Sequence, residues 1–283
     1  MAVDSACVID AVWHLSLSDR DLFIIYGERS MNAHPVRTQF SLDHGPGRYR
    51  IGLIALASDY VVERDFMNMR PSDDVVVFVS RVLNVNPCTV ENLKTMGPRL
   101  SGAASLIVPD GRVDVIAYCC TSGTTAMGYD AVASSIQETR IDVPVVTPIT
   151  AGLLALEKFG AKTVAVLTPY VDDVNRALIT YIEDNGPRVT ALTSFLIADD
   201  NQMAGIPPDT IFEAALEADR PDADALFISC TAIRAVDVIG KIEQALGKPV
   251  VCANQALFWQ SLRVAGYTDP VSGYGELLSM TAE

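Results

Sequence analysis

Asp114-Val115-Ile116-Ala117-Tyr118-Cys119-Cys120-Thr121 and Asp224-Ala225-Leu226-Phe227-Ile228-Ser229-Cys230-Thr231 are two writings of one pattern. Each has an acid, five largely apolar residues and then Cys-Thr, and the copies lie 110 residues apart. A short apolar run bounded in this way reads as a buried parallel strand. Each copy therefore carries a thiol to the carboxyl end of a strand, the edge at which open α/β sheets bind ligands.

The repeat extends around the motif. Ile51–Ala57 and Val164–Leu167 read as first strands, followed by Ser58-Asp59-Tyr60 and Thr168-Pro169-Tyr170 at the openings of helix-like stretches. Val75–Val79 and Ala191–Ile197 read as second strands, and Pro144–Thr147 and Pro249–Cys252 as fourth strands. Amphipathic segments at Leu153–Phe159, Val174–Asn185 and Ala235–Leu246 separate them, which indicates βα units with right-handed crossovers. A period near 110 means a duplicated domain, not a solenoid. The expected fold is α/β, with two similar doubly wound (flavodoxin-like) parallel-sheet lobes related by a pseudo-two-fold axis and the active site between them. Residues 1–148 with 254–283 form the first lobe and 149–253 the second; residues 1–48 are an extension that packs on the first lobe or on a partner subunit.

Composition excludes several classes. The 283 residues are 49% hydrophobic and 20% charged, a folded chain with a core. Mean hydropathy is +0.25, yet no stretch reaches the roughly 18 apolar residues of a spanning helix. The first residues carry acids in place of a signal peptide's basic flank, so the chain reads as cytoplasmic, with no membrane partner. A net charge of −14 argues against nucleic acid, which needs a basic stripe. The six cysteines show no disulfide or CxxC spacing, and all three histidines, His14, His34 and His44, lie far in sequence from the two motif cysteines. That leaves no zinc grouping at the motif, and neither a metal nor another cofactor is expected.

Cys120 is followed by Thr121-Ser122-Gly123-Thr124-Thr125, small donors at a strand-to-helix turn that suit an anion and should lower the thiol's pKa. Cys230-Thr231-Ala232 repeats the arrangement with fewer donors. Two opposed thiols suit proton removal beside a carboxylate, or thiolate addition to an activated double bond. Cys119 should point to the opposite face, into the core, and Cys252, at the fourth strand's end, reads as a core residue with the cleft border as the alternative. Cys7 and Cys88 lie outside the pattern. Tyr170 and Asp59 occupy equivalent strand ends. Tyr170 reads equally as a cleft phenol or a packing tyrosine, and Asp59 as a substrate contact or a helix N-cap. Asp172-Asp173 read as a helix start and Asp199-Asp200-Asn201 as a solvated loop.

At these residues the chain resembles the aspartate/glutamate racemase superfamily, and within it the maleate cis–trans isomerase and arylmalonate decarboxylase branch. The likeness is carried by Ile51-Gly-Leu-Ile, Cys120-Thr121-Ser122, Pro169-Tyr170-Val-Asp-Asp-Val-Asn175, Ser229-Cys230, Phe258-Trp259 and Gly273-Tyr274-Gly275. The resemblance implies Cys120 and Cys230 as the catalytic pair. It implies Thr121, Ser122 and Tyr170 as carboxylate binders and a homo-oligomer, a dimer or larger; the repeat adds Asp59, towards a substrate amine or hydroxyl, and Thr231 as further substrate contacts. Arylmalonate decarboxylases carry glycine where Cys120 stands, so keeping both thiols favours isomerisation or racemisation. Two departures stand out: Asp59 where maleate isomerases have Asn, and Ala232 where glutamate racemases have His. An acid at position 59 suits a substrate bearing an amine or amide, and a sub-branch associated with ectoine utilisation looks similar. The expected activity is a cofactor-independent racemase or isomerase of a small carboxylate. A decarboxylase on the same site and a non-catalytic bilobal small-molecule-binding protein remain open at this point.

Overall fold

Among the described residues, eight parallel strands form two four-stranded sheets of identical order. In the computed structural model, which describes residues 36–281, β1 (Tyr49–Leu56), β2 (Val75–Val82), β3 (Val115–Tyr118) and β4 (Val145–Val146) run in the order β2-β1-β3-β4. β5 (Thr163–Thr168), β6 (Arg188–Ser194), β7 (Ala225–Ile228) and β8 (Val250–Cys252) run β6-β5-β7-β8. The duplication and the doubly wound architecture are as the sequence predicts. Every strand among the described residues falls within residues 46–283. Most of the extension expected over residues 1–48, Cys7 included, lies outside the described residues.

The two sheets are built alike down to single bonds. In the first, Ile54 pairs with Tyr118, and the Cys119 N–H then donates to the Ile54 carbonyl at 2.9 Å before the chain turns at Cys120. In the second, Leu167 pairs with Ile228, and the Ser229 N–H donates to the Leu167 carbonyl at 2.9 Å before the turn at Cys230. The acid that opens each motif has a structural use. Asp114 accepts the Arg50 N–H at 2.7 Å, and Asp224 accepts the Lys162 and Thr163 N–H groups at 2.8 and 2.9 Å. Each therefore ties the amino end of the neighbouring strand to the cysteine strand.

β3 and β7 are wholly buried, which is why they read as continuous apolar runs. The edge strand β6 is half-buried and polar at Arg188, Thr190 and Thr193. Its true start is three residues before the apolar run marks it, because an edge strand needs apolar residues on fewer positions. The helix Ala253–Val264 follows β8 but packs on β1, β3 and β4 of the first sheet, with Phe258 edge-on to Phe66 of the helix Val62–Met69 at 5.0 Å. Being buried nearly all round, it shows no narrow apolar stripe in sequence. Asp172 and Asp173 open the helix Asp172–Asn185 as expected, Asp173 pairing with Arg176. No helix among the described residues is long and apolar enough to cross a membrane.

Candidate active site

A cavity of about 20 Å3 is lined by Leu56, Ser58 and Asp59 after β1, Cys120, Thr121 and Ser122 after β3, and Tyr170 after β5. Cys230, Thr231 and Ala232 after β7 complete it, with Leu93 and Asp200. All seven residues singled out from sequence line it, at the carboxyl ends of equivalent strands in the two sheets. Their catalytic and binding roles are taken up under the proposed function.

Cys120 is the N-cap of the helix Thr121–Met127, and its sulfur accepts the Gly123 N–H at 3.1 Å with the Ser122 hydroxyl at 3.7 Å. Gly123 is required there. A Cβ would lie 2.6 Å from the Tyr118 hydroxyl and 2.9 Å from the Cys120 sulfur. The donors act in the direction the sequence predicts, but the outcome is reversed. Burial pushes the Cys120 thiol up to about 12, outweighing Ser122 and Gly123. Cys230 is likewise held well above the ordinary thiol range by burial, against the Ala232 N–H and the Tyr170 hydroxyl. Removing a thiolate from water in this closed cavity costs more than two or three hydrogen bonds return, so both thiols rest protonated.

The cysteines differ in backbone. Cys120 is extended, at φ −147°, whereas Cys230 sits at φ +103°, a region that L residues avoid. The Thr231 hydroxyl lies 2.9 Å from Asp59 Oδ2 and 3.1 Å from the Cys119 carbonyl. One hydroxyl proton cannot serve both acceptors. The Thr231 O–H goes to Asp59, the shorter contact. Burial raises the Asp59 pKa, against the Val62 and Val61 N–H groups and Thr231. Asp59 also accepts the Val61 and Val62 N–H groups at 2.8 and 3.0 Å, at the entry to the helix Val62–Met69, whose N-cap is Val61. Thr121 is 1% exposed and its hydroxyl has no partner, a donor left over for a ligand.

Asp199-Asp200-Asn201 is not a freely solvated loop. Asp200 lines the cavity and accepts from Asn84 Nδ2 at 2.7 Å, and Asp199 accepts from Asn86 at 2.6 Å. Asn201 contributes its carbonyl to the Tyr60 hydroxyl at 3.2 Å. The signal for this contact was the repeat itself: the loop after β2 and the loop after β6 are equivalent and meet. Cys119 and Cys252 are core, as expected. Cys88 is buried with its sulfur 4.0 Å from the Ser122 hydroxyl, a placement no sequence signal marked. Two further residues escaped notice, Asp65 and Asn254. They are buried, joined at 2.8 Å, and tied to Thr231 through Asn254. Burial pushes Asp65 up to about 7, against the Asn254 amide and Arg64.

With twin sheets and paired strand-end thiols described, the likeness to known proteins is specific. The arylmalonate decarboxylase family model matches residues 52–278. The chain belongs to that family. The maleate isomerase of Alcaligenes faecalis is 27% identical over 248 residues, covering 82% of this chain and 96% of the relative. The arylmalonate decarboxylase of Bordetella bronchiseptica is 27% identical, covering 80% of this chain and 95% of the relative. The crystal structure of the maleate isomerase Iso from Pseudomonas putida S16, 26% identical, superposes with a TM-score of 0.75 over 82% of this chain and 98% of that one. Family members thus include both an isomerase and a decarboxylase, and the two-cysteine cavity is what bears on the choice.

Proposed function

We propose that this protein is a cofactor-independent isomerase or racemase of a small carboxylate, with Cys120 and Cys230 as opposed acid and base. The observation that carries the reading is that equivalent strand ends of the two sheets bring both sulfurs to one cavity. Both thiols rest protonated, so in this reading one gives up its proton as the substrate binds. That thiolate takes a proton from one face of a substrate carbon while the other thiol delivers one to the opposite face, which inverts the carbon without a cofactor. Alternatively the thiolate adds to a double bond and the displaced electron pair takes a proton from the other thiol at the neighbouring carbon. After rotation about the resulting single bond that proton returns and the C–S bond breaks, releasing the trans isomer and the thiolate.

No Lys, Arg or His lines the cavity among the described residues. In this reading the substrate carboxylate is held by the free Thr121 hydroxyl, Ser122 and Tyr170, with Thr231 steadying Asp59. A neutral Asp59 presents one donor and one acceptor, as an asparagine would, so it tolerates a dicarboxylate. Ionised, it pairs with an amine or amide, which keeps a substrate of the ectoine-breakdown type within this reading. Retention of both thiols supports isomerisation over decarboxylation. The cavity is taken to lie between lobes of residues 1–148 with 254–283 and 149–253, in a homo-oligomer of two or more subunits, which sedimentation measures.

The test is a screen of small carboxylates in D2O. Deuterium entering substrate or product without CO2 release, lost in both Cys120→Ala and Cys230→Ala, is the expected result. Full activity in Cys230→Ala would defeat the assignment, and stoichiometric CO2 would shift it to a decarboxylase.

A further inference from the structure

We infer that Asn254, oriented by Asp65, is a positioning residue that holds the Cys230–Thr231 turn in its left-handed conformation and so aims the Cys230 thiol into the cavity. The inference rests on the reading of Cys230 as an acid–base group. It starts from the backbone asymmetry of the two motif cysteines. Cys120, extended, leads straight into a helix that its own sulfur caps. Cys230, at φ +103°, has no such helix, since the next helical turn begins at Ala235. A non-glycine residue remains in that region only where its surroundings over-determine it.

Asn254 supplies that determination. Its Nδ2 donates to the Thr231 carbonyl at 2.9 Å, and the second hydrogen of the same nitrogen goes to Asp65 Oδ2 at 2.8 Å. Asn254 is 2% exposed and Asp65 0%. Asn254 Oδ1 has no partner, so the residue serves through its two N–H bonds alone. Turning the amide over would set its oxygen against a carboxylate and a carbonyl, so the orientation is fixed. Asp65 is held in turn by Arg64 Nη1 at 3.3 Å. The corresponding position in the first half of the repeat, second in the helix after β4, is Ile149. The polar brace is therefore present only in the half whose cysteine is strained.

Three variants test this, read by peptide-resolved iodoacetamide alkylation of the native protein, with Cys120 as the internal standard. Asn254→Ala frees the Thr231 carbonyl, and the rate for Cys230 relative to Cys120 should rise at least about fivefold, the low end of what releasing a strained backbone returns. Asp65→Leu should raise it too, because Asn254 loses its orienting acceptor. Asp65→Asn keeps an acceptor oxygen and should stay within about twofold of wild type. Where a small carboxylate is turned over, kcat should fall about 10- to 100-fold in Asn254→Ala with KM little changed, the signature of a misplaced group. A Cys230 rate unchanged in both Asn254→Ala and Asp65→Leu would overturn the proposal, as would Asp65→Asn behaving like Asp65→Leu. Should Asn254→Ala not fold, the two Asp65 variants decide alone. Alkylation needs no substrate, so failure of the isomerase reading shows separately, as absence of deuterium exchange in wild type.

Discussion

Residue-level chemistry here is a contest between burial and local donors. Gly123 shows how tight the contest is. Its missing Cβ is what lets the backbone N–H reach Cys120, and Gly123→Ala would set a methyl 2.9 Å from the sulfur and 2.6 Å from the Tyr118 hydroxyl. Both neighbours are buried, so the clash should cost about 1–3 kcal/mol in urea unfolding and abolish turnover even where the protein folds. Activity near wild type would remove Gly123 from the thiol's environment. The buried thiols also set a pH dependence. Folded Cys120 keeps its proton to about 12, while an unfolded cysteine releases it near 8.5. Above that pH the unfolded state binds fewer protons than the native one, so stability is fully present at neutral pH and declines as pH rises towards 12. The slope from one such thiol approaches about 1.4 kcal/mol per pH unit. Cys120→Ser should flatten the fall in urea midpoint between pH 9 and 11 without changing the trend below pH 8. A fall as steep as in wild type would mean that this thiol ionises in the native state.

Elements explain which parts of the fold were legible in the sequence. The strands β3 and β7 and their thiols were, because a buried strand and the residue that ends it form one linear motif. The same motif concealed the use of its acid. Asp114 and Asp224 sit at the far end of the strand from the cysteine and accept backbone N–H groups of β1 and of the Lys162–Thr163 entry to β5. Asp114→Ala should therefore lower stability by about 1–2 kcal/mol, the cost of orphaning a partly buried N–H, while kcat per folded molecule stays at the wild-type value. A lost kcat with an unchanged thermal transition would contradict this division of labour. What was not legible came from tertiary packing. Asn254 meets Thr231 across 23 residues and Asp65 across 189, separations at which no local pattern exists. The pKa direction at Cys120 failed for the same reason, since the donors are local and the burial is not.

At the scale of the whole molecule, the duplicated architecture closes its own site. The cavity, about 20 Å3, has room for one or two waters, less than a four-carbon acid needs, so its walls must move apart to take one. What holds them is equivalent loops meeting across the cleft. Asn84 donates to Asp200 at 2.7 Å and Asn86 to Asp199 at 2.6 Å, and the Cys88 N–H donates to the Ala198 carbonyl at 2.8 Å. Asn84 is itself fixed by Ser58, whose hydroxyl it reaches at 2.8 Å, which links the latch to the cavity wall. A double variant, Asn84→Ala with Asn86→Ala, removes two bonds to carboxylates that would have to break for these loops to separate. With each such bond contributing about 1.5 kcal/mol or more, losing two should enlarge the open population by about 100-fold or more. Because opening exposes both sheets' strand ends together, Cys120 and Cys230 should alkylate faster in parallel, and KM should rise if closure helps to bind the substrate. Parallel acceleration separates this variant from the Asn254 and Asp65 substitutions, which act on Cys230 alone. Alkylation rates equal to wild type in the double variant would show that the asparagines do not govern entry, and that the gate lies elsewhere along the cleft.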